Sequence, residues 1–218
     1  MSQFRRLAWF MASVVMACAA AAQVPQQHHP PESTSAYIRA LEDPSRVEWQ
    51  RPDEVVEKLG LKPGEAVADL GAGSGYFTLR FAQAVGAAGK VYAVDIDRGM
   101  LDNIERRARE AQVENIQLVL AEAHDPQLPA SSVDMIFICD TLHHISDRAT
   151  YYPLLARALR PGGRLVNIDF YKKPLPVGPP VVMKISKEDM IEEVKPAGFH
   201  LVKDFDFLPY QYFLIFQR

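Results

Sequence analysis

The 218-residue chain predicts an α/β fold, a doubly wound and mostly parallel sheet covered by helices on both faces. Three observations predict it. Continuous apolar runs such as Val91-Tyr92-Ala93-Val94 and Met135-Ile136-Phe137-Ile138 alternate with amphipathic helical patterns, the signature of strands buried on both faces. The stretch Val67-Ala68-Asp69-Leu70-Gly71-Ala72-Gly73-Ser74-Gly75 carries a strand through a glycine turn into a helix. Two further apolar segments, 200–207 and 212–216, close the chain around Leu208-Pro209-Tyr210, and such a hairpin makes the last strand antiparallel to its neighbour.

The elements follow in order. Residues 36–41 read as a short helix, and 42–50 as irregular and rich in special residues. Pro52 opens a helix with Asp53 and Glu54 in its first turn and Gly60 just past its end. Pro63-Gly64 then turns the chain into a strand over 66–70. Helices are expected over 76–85, 100–111, 149–159 and 187–194, the last with Ser186 and Asp189 as a capping box. Strands are expected over 91–96, 116–121, 133–140 and 164–170. There is no internal repeat and no second domain, so 52–218 reads as one unit large enough for a real core.

The first 22 residues stand apart. Arg5-Arg6 precede an apolar run from Leu7 to Ala22 broken only by Ser13, and Ala20-Ala21-Ala22 end it. This is the layout of a secretory signal peptide, too short to span a bilayer. A retained anchor is the alternative to cleavage, Val15-Met16-Ala17-Cys18 offers a lipoprotein reading with Cys18 as the lipidated residue, and a cytoplasmic protein is ranked after both export readings. Residues 23–51 follow as a Gln/Pro/His/Ser-rich linker and an N-terminal lid segment. Cleavage after Ala22 would leave 22 basic against 27 acidic residues, a net charge of −5, with no broad basic surface for nucleic acid. It would also leave Cys139 as the sole cysteine, so stability must come from packing.

The glycine turn indicates the ligand. Its pattern is G-x-G-x-G, and Tyr76 stands where the last glycine of the dinucleotide fingerprint G-x-G-x-x-G would sit. A bulky residue there opposes a pyrophosphate on the helix start and disfavours a nicotinamide oxidoreductase. No Gly-Lys-Ser/Thr follows, so a P-loop is excluded. Asp69 points at the turn, where a carboxylate suits a cation and repels phosphate. S-adenosylmethionine, which carries an ammonium and a sulfonium, meets that requirement. In open α/β sheets ligands bind beyond the carboxyl ends of the strands. The residues expected there are Asp95, placed to accept from ribose hydroxyls with Asp97 as its same-face alternative, then Glu122 and Ala123, and then Asp140, His143 and His144.

Taken together, Asp69–Gly75, Val94-Asp95-Ile96-Asp97, Ala121-Glu122-Ala123, Ser132–Ile136 and Leu159–Leu165 resemble the class I S-adenosylmethionine-dependent methyltransferases over 52–218. The pattern is similar to the small-molecule branch, in particular the methyltransferases of quinone biosynthesis. The resemblance implies a Rossmann-like seven-stranded sheet in the order 3-2-1-4-5-7-6 with an antiparallel last strand, and S-adenosyl-L-methionine as cofactor. It implies that Asp69, Gly71, Gly73 and Gly75 hold the methionine end, Asp95 the ribose, and Glu122 and Ala123 the adenine. Asp140 would line the methyl-transfer site, and His143 and His144 are the candidate bases beside a small-molecule acceptor. No metal set is evident, and no Asn-Pro-Pro-Tyr follows the fourth strand, which disfavours nucleobase and glutamine-amide methylation. A cofactor-binding protein of the same fold without turnover is the alternative.

Overall fold

A computed structural model describes residues 33–218. The leader expected over 1–22, Cys18 and most of the linker lie outside the described residues. Seven strands, β1 (Ala66–Leu70), β2 (Lys90–Asp95), β3 (Ile116–Leu120), β4 (Val133–Cys139), β5 (Leu159–Phe170), β6 (His200–Phe205) and β7 (Gln211–Gln217), form one sheet in the order β3-β2-β1-β4-β5-β7-β6. Strands β1 to β5 are parallel, and β7 runs antiparallel to both β5 and β6. The expected order and the antiparallel closing strand are both observed.

Helices α1 (Thr34–Leu41), α2 (Arg46–Gln50), α3 (Pro52–Leu59), α4 (Thr78–Val85), α5 (Arg98–Glu110), α6 (Arg148–Ala158) and α7 (Lys187–Glu193) complete the chain. Their ends follow local chemistry. Pro52 is the first residue of α3, and Gly60 ends it with φ of 59°. Asp97 caps α5 by accepting from the Gly99 N–H, and Ser186 caps α7 by accepting from the Asp189 N–H.

Strand side chains alternate between two cores. Leu70, Ile136, Leu165, Tyr212 and Leu214 pack with Tyr152 and Leu155 of α6 and Met190 of α7. Val67, Phe137, Val166 and Phe213 face the other way, against Val55 of α3 and Phe81 and Val85 of α4. Tyr151 and Tyr152 of α6 are 3% and 1% exposed and belong to the first core.

Several boundaries differ from the sequence reading. Arg46–Gln50, expected to be irregular, forms α2. Helix α4 starts at Thr78 rather than at position 76, because the chain is still turning through Gly75, whose N–H reaches back to the Ala72 carbonyl. Strand β5 begins at Leu159, which pairs with Val133 before the register shifts across Pro161-Gly162-Gly163.

Phe137 anchors the second core, with its ring centroid 4.8 Å from those of both Phe77 and Phe81. Phe137→Ala is expected to cost about 3–5 kcal/mol, the range for deleting a fully buried aromatic ring. Urea unfolding should show a lower midpoint with an unchanged slope.

Candidate functional site

Four neighbouring strands each bring an aspartate to the carboxyl edge of the sheet. In sheet order they are Asp95 on β2, Asp69 on β1, Asp140 directly after β4 and Asp169 on β5. Their partners differ, and so do their protonation tendencies.

Asp95 accepts from two backbone N–H groups, Gly73 at 2.8 Å and Asp97 at 2.9 Å. A carboxylate has about four acceptor positions, so half of its capacity is open. Burial nevertheless raises its pKa. Asp97, the same-face alternative, is committed to capping α5 and accepts a further bond from the Thr34 hydroxyl.

Asp69 is 3% exposed, and the Thr78 hydroxyl donates to it at 2.5 Å. Burial pushes its pKa up to about 7, with the negative charge of Asp95 adding to the effect.

Asp140 has a left-handed backbone, φ 55°, an uncommon conformation outside glycine and asparagine. Gln211 donates to its Oδ1 at 2.6 Å, and the Arg46 guanidinium lies 4.0 Å from its Oδ2. Burial, then the neighbouring Asp169 charge, raises its pKa. The same burial keeps the Cys139 thiol well above its usual range and protonated.

Asp169 is fully buried and faces His143, whose Nδ1 lies 3.0 and 3.1 Å from its two carboxylate oxygens. Burial alone would lower the His143 pKa. The Asp169 hydrogen bond and charge, with Asp140, outweigh it and raise the pKa. Nδ1 engaged with a carboxylate leaves Nε2 as the nitrogen that can exchange a proton with a ligand. His144 is exposed, with its ring centroid 4.3 Å from that of His143. Of the two expected histidines, His143 is the one that Asp169 orients.

The glycines of the turn serve close packing. A Cβ on Gly71, φ 74°, would fall 2.2 Å from the Thr141 hydroxyl, and one on Gly75, φ 84°, 2.9 Å from Ile104 of α5. Gly73 faces Leu41 of α1 and gives its N–H to Asp95. The Gly71 and Ala72 N–H groups bond to the Val94 carbonyl, so much of this loop is satisfied internally. Glu122 and Ala123 follow β3 on an exposed turn where Glu122 and Asp125 exchange backbone hydrogen bonds. They sit at the same edge as the aspartates, beyond Asp95.

Residues 34–50 lie over this edge. Thr34 bonds Asp97, Glu42 pairs with Arg107 and accepts from Ser74, and Gln50 donates to Gln211 at 2.7 Å. Trp49 packs its ring 5.7 Å from Phe170, at the end of β5. The Tyr37 phenol has a raised pKa, from burial and then from Asp95 and Asp140, so it faces the aspartate row. Sequence reasoning placed a lid here but did not single out Arg46, Gln50 or Gln211. Their importance rests on contacts that span as many as 161 residues of sequence.

Residues 67–163 match the protein family described as a methyltransferase domain. The seven-stranded sheet around that segment has the strand order expected from the sequence, with its closing strand antiparallel. A S-adenosylmethionine-dependent methyltransferase from Aquifex aeolicus is similar in structure, with a TM-score of 0.80 and 29% identity over 85% of this chain and 98% of that one. A type 11 methyltransferase from Sulfolobus solfataricus shares the fold, with a TM-score of 0.65 and 22% identity over 77% of this chain and 92% of that one. Among curated proteins, the ubiquinone/menaquinone biosynthesis C-methyltransferase UbiE of Francisella philomiragia is 34% identical over 130 residues, 59% of this chain. The chain spans about half the length of the curated relatives it matches, 51% for this one.

The residues present suit S-adenosylmethionine. Asp95 has open acceptor capacity for a diol. Burial raises the pKa of both Asp69 and Asp140, and the Arg46 guanidinium lies 4.0 Å from the latter. The Tyr76 hydroxyl is buried and has no hydrogen-bond partner, which is a donor and acceptor left over for a ligand.

Asp169→Asn should lower the His143 pKa, because burial is then opposed chiefly by the Asp140 charge alone. Imidazole titration by NMR would show the shift, and an unchanged value would mean that Asp169 does not set the charge of His143.

Proposed function

We propose that the chain transfers a methyl group from S-adenosylmethionine to a small-molecule acceptor, with His143 as the general base. The observation that carries this reading is the row Asp95, Asp69, Asp140 and Asp169 along one sheet edge, ending in the His143–Asp169 pair. The methyltransferase-family match and the likeness to the Aquifex aeolicus protein support it.

The bound cofactor supplies an electrophilic methyl group on a sulfonium. The chain contributes alignment and exclusion of water. Asp95 accepts from the ribose hydroxyls, Glu122 and the Ala123 N–H bracket the adenine, and Asp69 receives the ammonium. Asp140 lines the methyl-transfer site. Asp169 holds His143 with Nδ1 turned inward, so Nε2 can remove a proton from the acceptor. The curated relatives are C-methyltransferases, and a carbon that gains a methyl group in place of hydrogen must release a proton. An electron-rich, hydroxylated ring of quinone-precursor type is therefore the acceptor class this reading favours.

Three measurements test it. In calorimetry with S-adenosylhomocysteine, Asp95→Ala should cost about 1.5–3 kcal/mol of binding, the range for hydrogen bonds to a charged group. An unchanged affinity in a folded variant would remove Asp95 from the ribose. Turnover on a panel of phenols and hydroquinones separates an enzyme from a binding protein. Its rate should rise with pH through the raised His143 pKa, since only the neutral imidazole accepts a proton. His143→Asn should flatten that rise.

We also propose that the protein is exported, with cleavage near Ala22, on the strength of Arg5-Arg6, the apolar run and the alanine site. Mass spectrometry of the protein from its native host should find an N-terminus near Gln23. Lipid on Cys18 would instead mean membrane anchoring, and an intact N-terminus in the cytoplasmic fraction would overturn export.

A further inference from the structure

Arg46 is the cation nearest the centre of the site, and its surroundings leave one part of it unused. Its side chain is 11% exposed. The guanidinium lies over the Tyr76 ring at 4.3 Å from the centroid, which fixes its plane. Nε donates to Gln50 Oε1 at 3.1 Å, and Nη1 donates to the Leu41 carbonyl at 2.9 Å. Nη2 has only the Asp140 carboxylate at 4.0 Å, beyond hydrogen-bond distance. A buried, oriented guanidinium edge without a hydrogen-bonded acceptor is a site for a planar anion.

The geometry of its neighbours says which anion. Gln50 and Leu41 hold Arg46 from the lid side, and Tyr76 holds it from the glycine turn. The open edge therefore lies between the lid and the strand ends that carry Asp69 and Asp140. We propose that Arg46 binds the α-carboxylate of the cofactor's methionine portion, so that the lid closes on the ligand through this one contact. The assignment rests on the methyltransferase reading above and adds a residue to it. It also accounts for charge. An amino-acid zwitterion needs both signs around it, and Asp69 and Asp140 offer only negative charge. Arg46 is the positive group whose field reaches both of them. The arrangement differs from one in which Arg46 merely occupies the cation site until the cofactor displaces it. The two readings predict opposite effects of its removal.

Calorimetry on the full chain with two probes decides. S-Adenosylhomocysteine carries the amino-acid group, and 5′-methylthioadenosine keeps the nucleoside and thioether but lacks it. Arg46→Met should weaken S-adenosylhomocysteine about tenfold or more, as expected for a charge-assisted pair, and leave methylthioadenosine within about twofold. Arg46→Lys should fall between, keeping charge but losing the fork. Circular dichroism and thermal melting confirm that each variant is folded. An equal loss for both probes would make Arg46 a structural part of the lid and overturn the proposal. A gain in S-adenosylhomocysteine affinity would make it a displaced placeholder and overturn it as well. Failure of the wild-type chain to bind either probe would overturn the methyltransferase reading itself, and the assignment with it. Wild-type binding with an unaffected Arg46→Met would overturn the assignment alone.

Discussion

The arrangement of this molecule depends on the cost of holding four carboxylates at the end of an apolar sheet. Each must find donors or give up its charge. Asp95 is bonded to two backbone amides of the turns around it. Asp169 is bonded to an imidazole that its own charge keeps basic. Asp69 accepts from Thr78, and Asp140 from the Gln211 amide and, at 3.5 Å, the Cys139 thiol, and burial raises the pKa of both. The two ends of the row are thus better supplied with short hydrogen bonds than the middle. A ligand with positive charge at its centre and hydroxyls at one end complements that distribution. The same core that makes β1 and β4 stable, lined by Val67, Met135 and Phe137, supplies the low dielectric that makes the middle of the row responsive to a cation.

The lid is built to depend on the same residues. Helix α1 has no buried residue of its own and is fastened by polar contacts, Thr34 to Asp97 and Glu42 to Arg107. Helix α2 is only five residues long, and its buried residue is Gln50. From Arg46 through Gln50 and Gln211 to Asp140, hydrogen bonds run in a line back to the sheet edge. An element with little apolar burial opens at low cost compared with the sheet beneath it. Its position is therefore tied to Asp140 through that chain of hydrogen bonds.

Much of the fold was legible because strand burial leaves a strong local signature. The seven strands were recognisable from apolar runs and glycine or proline punctuation, and β1 has the expected bounds, Ala66–Leu70. Helix α2 was not legible. Arg46 and Gln50 face partners that no periodicity in five residues can announce. The start of β5 was missed because Pro161-Gly162-Gly163 has the composition of a turn, while Leu159 still pairs with Val133 across it. At the site, Asp69, Asp95 and Asp140 could be named because strand ends are where an α/β sheet binds ligands. The choice between His143 and His144 could not be made, since it depends on Asp169, 26 residues further along and on a different strand. Gln211 carried no signal at all. Its role exists only because β7 returns antiparallel beside β5 and brings the start of that strand to Asp140.

The readiness of the site for its ligand and the stability of the fold run in opposite directions with pH. Asp69 has a folded-state pKa near 7 against 3.8 in the unfolded chain, so the folded state binds the extra proton between those values. That proton stabilises the fold fully below the unfolded value, and the contribution is lost as pH rises through about 7. His143, raised above 6.5, acts in the same sense at higher pH, since its stabilising proton is lost as pH rises through the folded value. The ligand-free site is therefore most comfortable when protonated. A cationic ligand needs Asp69 charged, and a base needs His143 neutral, so both steps of the proposed chemistry are favoured as the pH passes neutrality. The ligand is then the missing counter-charge, and its binding restores the stability that deprotonation removes. Natural proteins tolerate such local conflict where function requires it. Here the conflict is confined to the sheet edge, and the cores on either side of the sheet contain only scattered polar groups such as Asn167.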